Sequence, residues 1–174
     1  MTYLQLVNSV LRRMRESETS SVENTTDSYV KLIGEFVNDA RRTVEDAWDW
    51  SALRKTITVT TTNDVFSYSI TGTNNSFKIL DVINDTSNYF MRPISSSLMN
   101  KSYLTQTPAT GSPLYYSWNG VDASGNALVD LYPKPNGVYT LRFNIVDRAD
   151  PFTLDADKLY VPSQPVINYA VALA

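Results

Sequence analysis

The sequence predicts an α+β fold: an antiparallel pair of N-terminal helices and a returning C-terminal helix packed with an antiparallel β-sandwich or barrel-like region. Apolar residues recur at helical spacing up to about residue 48, alternate in short runs from residue 54, and return to helical spacing after Pro165. We expect a single composite domain with three parts: a helical hairpin over 1–53, a β region over 54–160 and the start of the C-terminal helix over 161–174.

Two segments near the N-terminus carry helix signals. Thr2 followed by Gln5 has the pattern of a capping box ahead of a first helix. Asp27 is the expected N-cap of a second, longer helix, and close packing on the first helix would explain Gly34 inside it. The apolar stripe of the second helix is expected to comprise Tyr29, Ile33, Phe36, Val37, Ala40, Val44, Ala47 and Trp48. Its opposite, polar face is expected to carry Lys31, Glu35, Asn38, Asp39, Arg41, Arg42 and Glu45.

The β region is predicted to hold six to eight short strands with closely spaced turns. We expect one hairpin over 55–70, a second pair of strands over 77–94 and a third hairpin over 113–133. A short helix is expected over 95–104.

Composition excludes several classes of enzyme. The chain has no Cys and no His, which removes disulfides, thiolate nucleophiles, Cys-based zinc sites and catalysis by Ser–His or Cys–His pairs. Its 15 Lys and Arg are spread among 18 Asp and Glu, so wrapping of DNA is not expected. No stretch resembles a signal peptide or a membrane span, and we expect no cofactor, no metal site and no membrane partner.

An acidic cluster at the end of the second helix has two interpretations. Glu45, Asp46 and Asp49 lie near Trp48 and Trp50, as carboxylates beside aromatic platforms do in glycosidases. The other interpretation is a solvated helix edge beside core or interface tryptophans. Two acids one turn apart on one exposed face do not flank a substrate, so we favour the second and expect no catalytic residue.

A possible calcium loop is also better explained otherwise. Asp122, Asn126 and Asp130 supply oxygens, but Ala123 and Gly125 interrupt the required alternation, so we expect a hairpin turn.

The basic run "RRMR" over 12–15 would allow phosphate contact, but we favour stabilisation of the helix C-terminus through the helix dipole, or salt bridges to a partner subunit. The chain also has 11 Tyr, 6 Phe and 3 Trp, and aromatic residues are enriched at interfaces. With common catalytic side chains missing, this composition favours a binding or assembly role.

The order of elements and a set of local motifs resemble a known family. The second helix ends in the Trp-rich "RRTVEDAWDWSALRKTITVTT" just before the first strand. The later motifs are an L-x-P-x-P turn (Leu131, Pro133, Pro135), a Tyr-bearing strand (Tyr139) and an L-x-V-P step into the last helix (Leu159, Val161, Pro162). Over most of its length the chain resembles the head-to-tail adaptors of short-tailed bacteriophages, the family of tail tubular protein A and related connector proteins.

The resemblance implies a virion structural protein at the head–tail junction, without enzymatic activity and assembled in the bacterial cytoplasm. It implies a homo-oligomeric ring of twelve copies that binds the portal protein on one side and the tail nozzle on the other. Genomic DNA would pass through the lumen without sequence-specific binding. A mildly acidic chain suits that role, since DNA would slide along the lumen instead of adhering to it.

We expect the residues that contact the portal and the tail to lie in two parts of the chain. The C-terminal segment is the portal anchor of the family, and on this chain its portal-side residues are Val166, Ile167, Tyr169, Ala170, Leu173 and Ala174. Tail-side contacts are expected from loops of the β region, at Thr73, Asn74, Asn75, Lys134 and Asn136. A helix that starts at Pro165 and stops at Ala174 is too short to be stable alone, so we expect the native chain to continue and to order on the portal.

Two other functions stay open from the sequence. One is a phage-associated peptidoglycan hydrolase with Glu45 or Asp49 as its acid. The other is a carbohydrate- or protein-binding β module with a helical arm, which would be a stable monomer with a ligand groove.

Overall fold

The structure, a computed structural model, describes residues 1–73, 77–104 and 107–174. It confirms the α+β class. The helices in the described ranges are α1 (Tyr3–Arg13), α2 (Ser28–Ala47), α3 (Ser96–Leu104) and α4 (Ser163–Leu173). The strands there are β1 (Arg54–Thr60), β2 (Ser67–Ile70), β3 (Lys78–Asn84), β4 (Tyr89–Phe90), β5 (Arg92–Pro93), β6 (Thr110–Gly111), β7 (Tyr115–Val121), β8 (Ala127–Tyr132), β9 (Lys134–Pro135) and β10 (Thr140–Val146).

The chain divides into two compact units. The helical unit comprises residues 1–53 and 148–174, and the β unit comprises residues 54–147. Residues 148–160, expected within the β region, therefore group with the helices. That the whole chain forms one composite domain stays a prediction.

Local signals fix the helix starts of the helical unit. Thr2 and Gln5 form the predicted capping box, in which each side chain accepts the other residue's backbone N–H. The Asp27 carboxylate accepts the backbone N–H of Tyr29 at 2.8 Å, as expected of an N-cap. Helix α4 begins at Ser163, earlier than expected, because Pro165 is tolerated in a first helical turn.

Helices α1, α2 and α4 pack against one another. The close approach predicted at Gly34 is confirmed, since a methyl group there would collide with the Tyr3 hydroxyl of α1. The predicted core face of α2 is wrong in part. Its buried residues are Val30, Ile33, Gly34, Val37, Ala40, Arg41 and Glu45. Packing around Gly34 turns this face away from Tyr29 and Phe36, and it brings in two charged residues that had been assigned to the polar face.

The return segment (residues 148–162) has no helix and only an isolated bridge, Lys158 with Thr2. Hydrogen bonds hold it on the helices. Asn38 bonds both the N–H and the C=O of Phe152, at 2.9 and 3.2 Å. The Asp155 carboxylate accepts the backbone N–H of Val22 at 2.8 Å. These bonds satisfy backbone N–H and C=O groups that have no partner in a neighbouring strand.

The β unit contains two four-stranded sheets, with strand orders β1-β10-β3-β4 and β2-β8-β7-β5, and a two-stranded sheet of β6 and β9. Side chains from both larger sheets form one apolar core, which includes Ile70, Val82, Val129, Leu131, Leu141, Phe143 and Ile145. The expected antiparallel pairing holds for most strands, but β5–β7 and β6–β9 are parallel.

Two predicted hairpins are confirmed and one is wrong. Strand β3 pairs with β4, and β7 pairs with β8, both antiparallel. The hairpin expected over 55–70 does not form, because β1 pairs with β10 and β2 pairs with β8 in the other sheet. The alternation identified both strands, but their partners are distant in sequence. The short helix expected over 95–104 is confirmed as α3.

Candidate interaction surfaces

The acidic cluster at the end of α2 does not form a pair of catalytic carboxylates. Glu45 is buried and lies 3.5 Å from Arg41, whereas Asp49 is exposed beyond the last residue of the helix. Burial raises the pKa of Glu45, and the charge of Arg41 opposes that rise. The interpretation of Glu45 as part of a solvated helix edge is also wrong.

Arg41 gives this cluster a structural role. Its guanidinium donates to the backbone carbonyls of Asp150 at 2.7 Å and Ala149 at 3.0 Å. It also lies 4.4 Å from the centre of the Phe152 ring. The buried charge is therefore shared between α2 and the return segment. No local sequence pattern indicates this contact, because its acceptors lie more than a hundred residues away along the chain.

The loop at Asp122 is a hairpin turn, as predicted. One carboxylate oxygen of Asp122 accepts the backbone N–H groups of Ser124 and Asn126 at 2.8 and 2.9 Å, and the other accepts the Ser69 hydroxyl at 2.8 Å. Hydrogen bonds from the Asn126 and Ser69 side chains and from neighbouring backbone lower the Asp122 pKa to about 2. Asp130 lies apart from this turn, buried on β8.

No group of three or more potential metal ligands occurs among the residues the structure describes. A groove over β1, β10 and β3 bears on the β-module hypothesis. Three of its polar side chains bond one another: Asn144 donates to Asp81 at 2.6 Å and accepts from Thr56 at 2.8 Å. Two cations, Arg54 and Lys55, also line the groove, and Lys55 pairs with Asp147 at 3.5 Å.

The C-terminal helix divides the predicted portal-side residues into two sets. Val166, Ile167 and Ala170 are buried in the core of the helical unit. Tyr169 and Leu173 remain 42% and 38% exposed, and Ala174 is exposed too. In this conformation only the second set is accessible to a partner.

Among the described tail-side residues, Lys134 lies in β9, whereas Thr73 and Asn136 lie between strands of the β unit. Lys134 pairs with Asp64 at 2.7 Å, and the Asn136 side chain accepts the Tyr139 hydroxyl at 2.6 Å. Thr73 is half-buried. Asn74 and Asn75 lie outside the described residues.

The basic run over 12–15 forms a cationic surface at the end of α1. Arg12 pairs with Glu18 at 3.0 Å, and Arg13 donates to the Asn168 side chain of α4 at 2.6 Å. Arg15 is exposed and has a left-handed backbone, with φ of 64°.

Apolar side chains on α2, two exposed and one half-buried, form a surface that the sequence did not predict. Tyr29, Leu32 and Phe36 follow one another at i, i+3 and i+7, and Leu32 is 47% exposed. The chain continues from α2 into Trp48, which is 68% exposed. The helical spacing was visible, but Tyr29 and Phe36 had been assigned to the core face.

Comparison with known proteins gives the family. No curated protein matches the chain. Among the described residues, no helix is both long enough and apolar enough to span a bilayer. The sequence model of the SU10 adaptor protein family matches residues 1–174. The chain therefore belongs to the SU10 adaptor protein family, and it is a phage structural adaptor at the head–tail junction.

Proposed function

We propose that this protein joins the capsid portal to the tail nozzle of a short-tailed phage, as a ring of twelve copies resembling tail tubular protein A. The observation that carries the proposal is the family match over residues 1–174. The Trp-rich end of α2 and the turn-rich return to α4, which carry the resemblance to these connectors, lie within that match. The ring encloses part of the DNA channel and has no catalytic role.

The chemistry of the candidate site supports a role in assembly. Of the two carboxylates on which hydrolysis would depend, Glu45 is buried against Arg41, and Asp49 is exposed beyond the end of α2 and so does not form a pair with it. Exposed apolar and aromatic side chains lie on α2, at Trp48 and on α4. Such side chains supply much of the binding energy at protein interfaces.

We assign the two sides of the ring to different units. Tyr169 and Leu173 of α4 contact the portal, and the buried Val166, Ile167 and Ala170 hold α4 in place beneath them. Thr73, Lys134 and Asn136 of the β unit contact the tail nozzle, and so do Asn74 and Asn75, which follow Thr73 in the sequence. DNA passes through the lumen without sequence-specific binding, and the net charge of −3 disfavours non-specific adhesion to its phosphates.

The test is assembly on a portal. The purified chain is mixed with portal rings from the same phage, and the mass of the complex is measured by light scattering after gel filtration. We expect the mass to rise by twelve copies of 19.6 kDa each. A chain that is monomeric alone agrees with the proposal, because the portal templates the ring. A chain that never joins the portal ring refutes it.

A further inference from the structure

Helix α2 carries an apolar strip, Tyr29, Leu32 and Phe36, on the side remote from α1. With 3.6 residues per turn, the three residues lie about 140–160° around the helix from Gly34, where Tyr3 of α1 packs. Tyr29 and Leu32 are exposed and Phe36 is half-buried. The strip therefore presents two aromatic rings and a leucine on the outer side of the helical unit.

Two carboxylates flank this strip. Glu35 and Asp39 are exposed one turn apart, and within the described ranges neither forms an ion pair. An aromatic ring next to a carboxylate suits arginine, because a guanidinium stacks on the ring and donates to the carboxylate. The chain makes this arrangement in its own interior, where Arg41 lies over Phe152 and beside Glu45. The aromatic rings and carboxylates of the strip thus suit an arginine-rich partner, and the exposed cations Lys31 and Arg42 lie beside the carboxylates on the same helix.

The same chain offers an arginine-rich segment on the opposite side of the helical unit. Arg12 lies about 180° around α1 from Tyr3, which faces α2, so it points away from α2. Arg13 and Arg15 follow it, and all three are exposed. The exposed ion pair of Arg12 with Glu18 is a weak contact that a partner can replace.

We propose that the α2 strip of one copy binds the basic run of a neighbouring copy, arginine against aromatic rings and carboxylates. The two surfaces face opposite ways on one unit, so the contact between copies is heterologous. Repeating such a contact produces a closed ring when the rotation from each copy to the next adds up to a full turn. This inference rests on the ring proposed above and names the surfaces that join its copies.

The natural absence of Cys allows a direct test by disulfide cross-linking. Thr43 is exposed on α2 in line with the strip, and exposed Ser17 follows the basic run. The variant Thr43→Cys/Ser17→Cys is assembled on portal rings, oxidised and separated without reductant. We expect a ladder of dimers, trimers and higher species. Each single variant, and a control pairing Ser17→Cys with Ser97→Cys on α3, should give at most dimers.

Charge reversal in the cross-linking variant tests the chemistry. Arg12→Glu/Arg15→Glu should lower the yield of trimers and larger species at least tenfold, and Glu35→Arg/Asp39→Arg should do the same. Arg13 is kept because it bonds Asn168. Combining the two pairs of reversals should restore the ladder, which also shows that the variants fold.

The other possible outcomes contradict the proposed contact between copies, or both this contact and the proposed function. A ladder whose yield is unchanged by both charge reversals would overturn the inference. So would cross-links that form mainly between two Thr43→Cys side chains, or between Thr43→Cys and the portal protein. Copies that assemble on the portal without a ladder overturn it too, while the proposed function stands. A chain that fails to join the portal refutes both.

Discussion

Arg41 and Glu45 form a buried ion pair one turn apart on α2, with 3.5 Å between Nε and Oε1 and only 5% and 1% of their side chains exposed. Burial lowers the pKa of Arg41 and raises that of Glu45, while each charge favours the charged form of the other. Arg41 also bonds two carbonyls of the return segment. One side chain thus links the helix to the segment that leads to α4.

We predict that Arg41→Met destabilises the protein by about 3–5 kcal/mol, because it leaves the Glu45 carboxylate buried without its cation. It also removes the donors for the carbonyls of Ala149 and Asp150. Urea denaturation followed by circular dichroism measures the change. Arg42→Met, on the exposed side of the same helix, is the matched control and should change stability by less than about 0.5 kcal/mol. Equal effects of the two substitutions would contradict the role given to Arg41.

Acid should weaken the β unit through Asp122. Hydrogen bonds from Asn126 and Ser69 hold its folded pKa at about 2, below the ordinary value of 3.8. A depressed carboxyl pKa gives stability that is present above the unfolded pKa and lost as pH falls through the folded pKa. This contribution should therefore disappear between about pH 4 and pH 2.

Melting temperatures measured from pH 5 to pH 2 test that expectation. Asp122→Asn removes the titrating group, so its melting temperature should fall less steeply than that of the natural chain. Asn126→Ala removes the largest cause of the shift, so it should lower stability at pH 5 and also flatten the decline. Parallel curves for all three proteins would show that Asp122 does not contribute.

Features set by neighbours in sequence were predictable. The capping box of Thr2 and Gln5, the cap at Asp27 and the β7–β8 hairpin each depend on groups a few residues apart. The spacing of side chains also gave the α+β class, because helix and strand periods differ.

Features set by distant partners were not predictable. Strand β1 alternates as a hairpin arm does, yet its partner β10 lies about ninety residues away. The core face of α2 depends on where Tyr3 meets Gly34, which periodicity does not reveal. The charges of Arg41 and Glu45 indicate a surface position, but the return segment packs over them and accepts hydrogen bonds from Arg41. Periodicity alone therefore assigns Tyr29 and Phe36 of the strip to the core face, which is wrong.

Gly34→Ala should destabilise the helical unit, although the same change in an exposed helix stabilises by about 1 kcal/mol. The added methyl group would collide with the Tyr3 hydroxyl, and overpacking of this kind costs about 1–3 kcal/mol. Removing the hydroxyl with Tyr3→Phe should recover much of that loss in Gly34→Ala. A double-mutant cycle from urea denaturation measures the coupling. Additive effects would show that the two residues do not interact.

Tyr169→Ser/Leu173→Ser should weaken portal binding without unfolding the chain. Both side chains are partly exposed on α4, so their loss should change the free energy of unfolding by less than about 1 kcal/mol. At a portal interface, loss of two anchors should raise the dissociation constant at least tenfold. Titration of portal rings with labelled chain measures that constant, and circular dichroism measures stability.

The matched control for this pair is Ile167→Ala on the same helix. Ile167 is buried, so its truncation should cost about 2–5 kcal/mol of stability. Below its melting temperature the folded fraction should still bind the portal with the natural affinity, because no exposed contact is removed. Comparing the two variants thus distinguishes residues that contact the portal from a buried residue that stabilises α4. Natural portal affinity in the Tyr169→Ser/Leu173→Ser variant would rule out this face of α4 as the portal side.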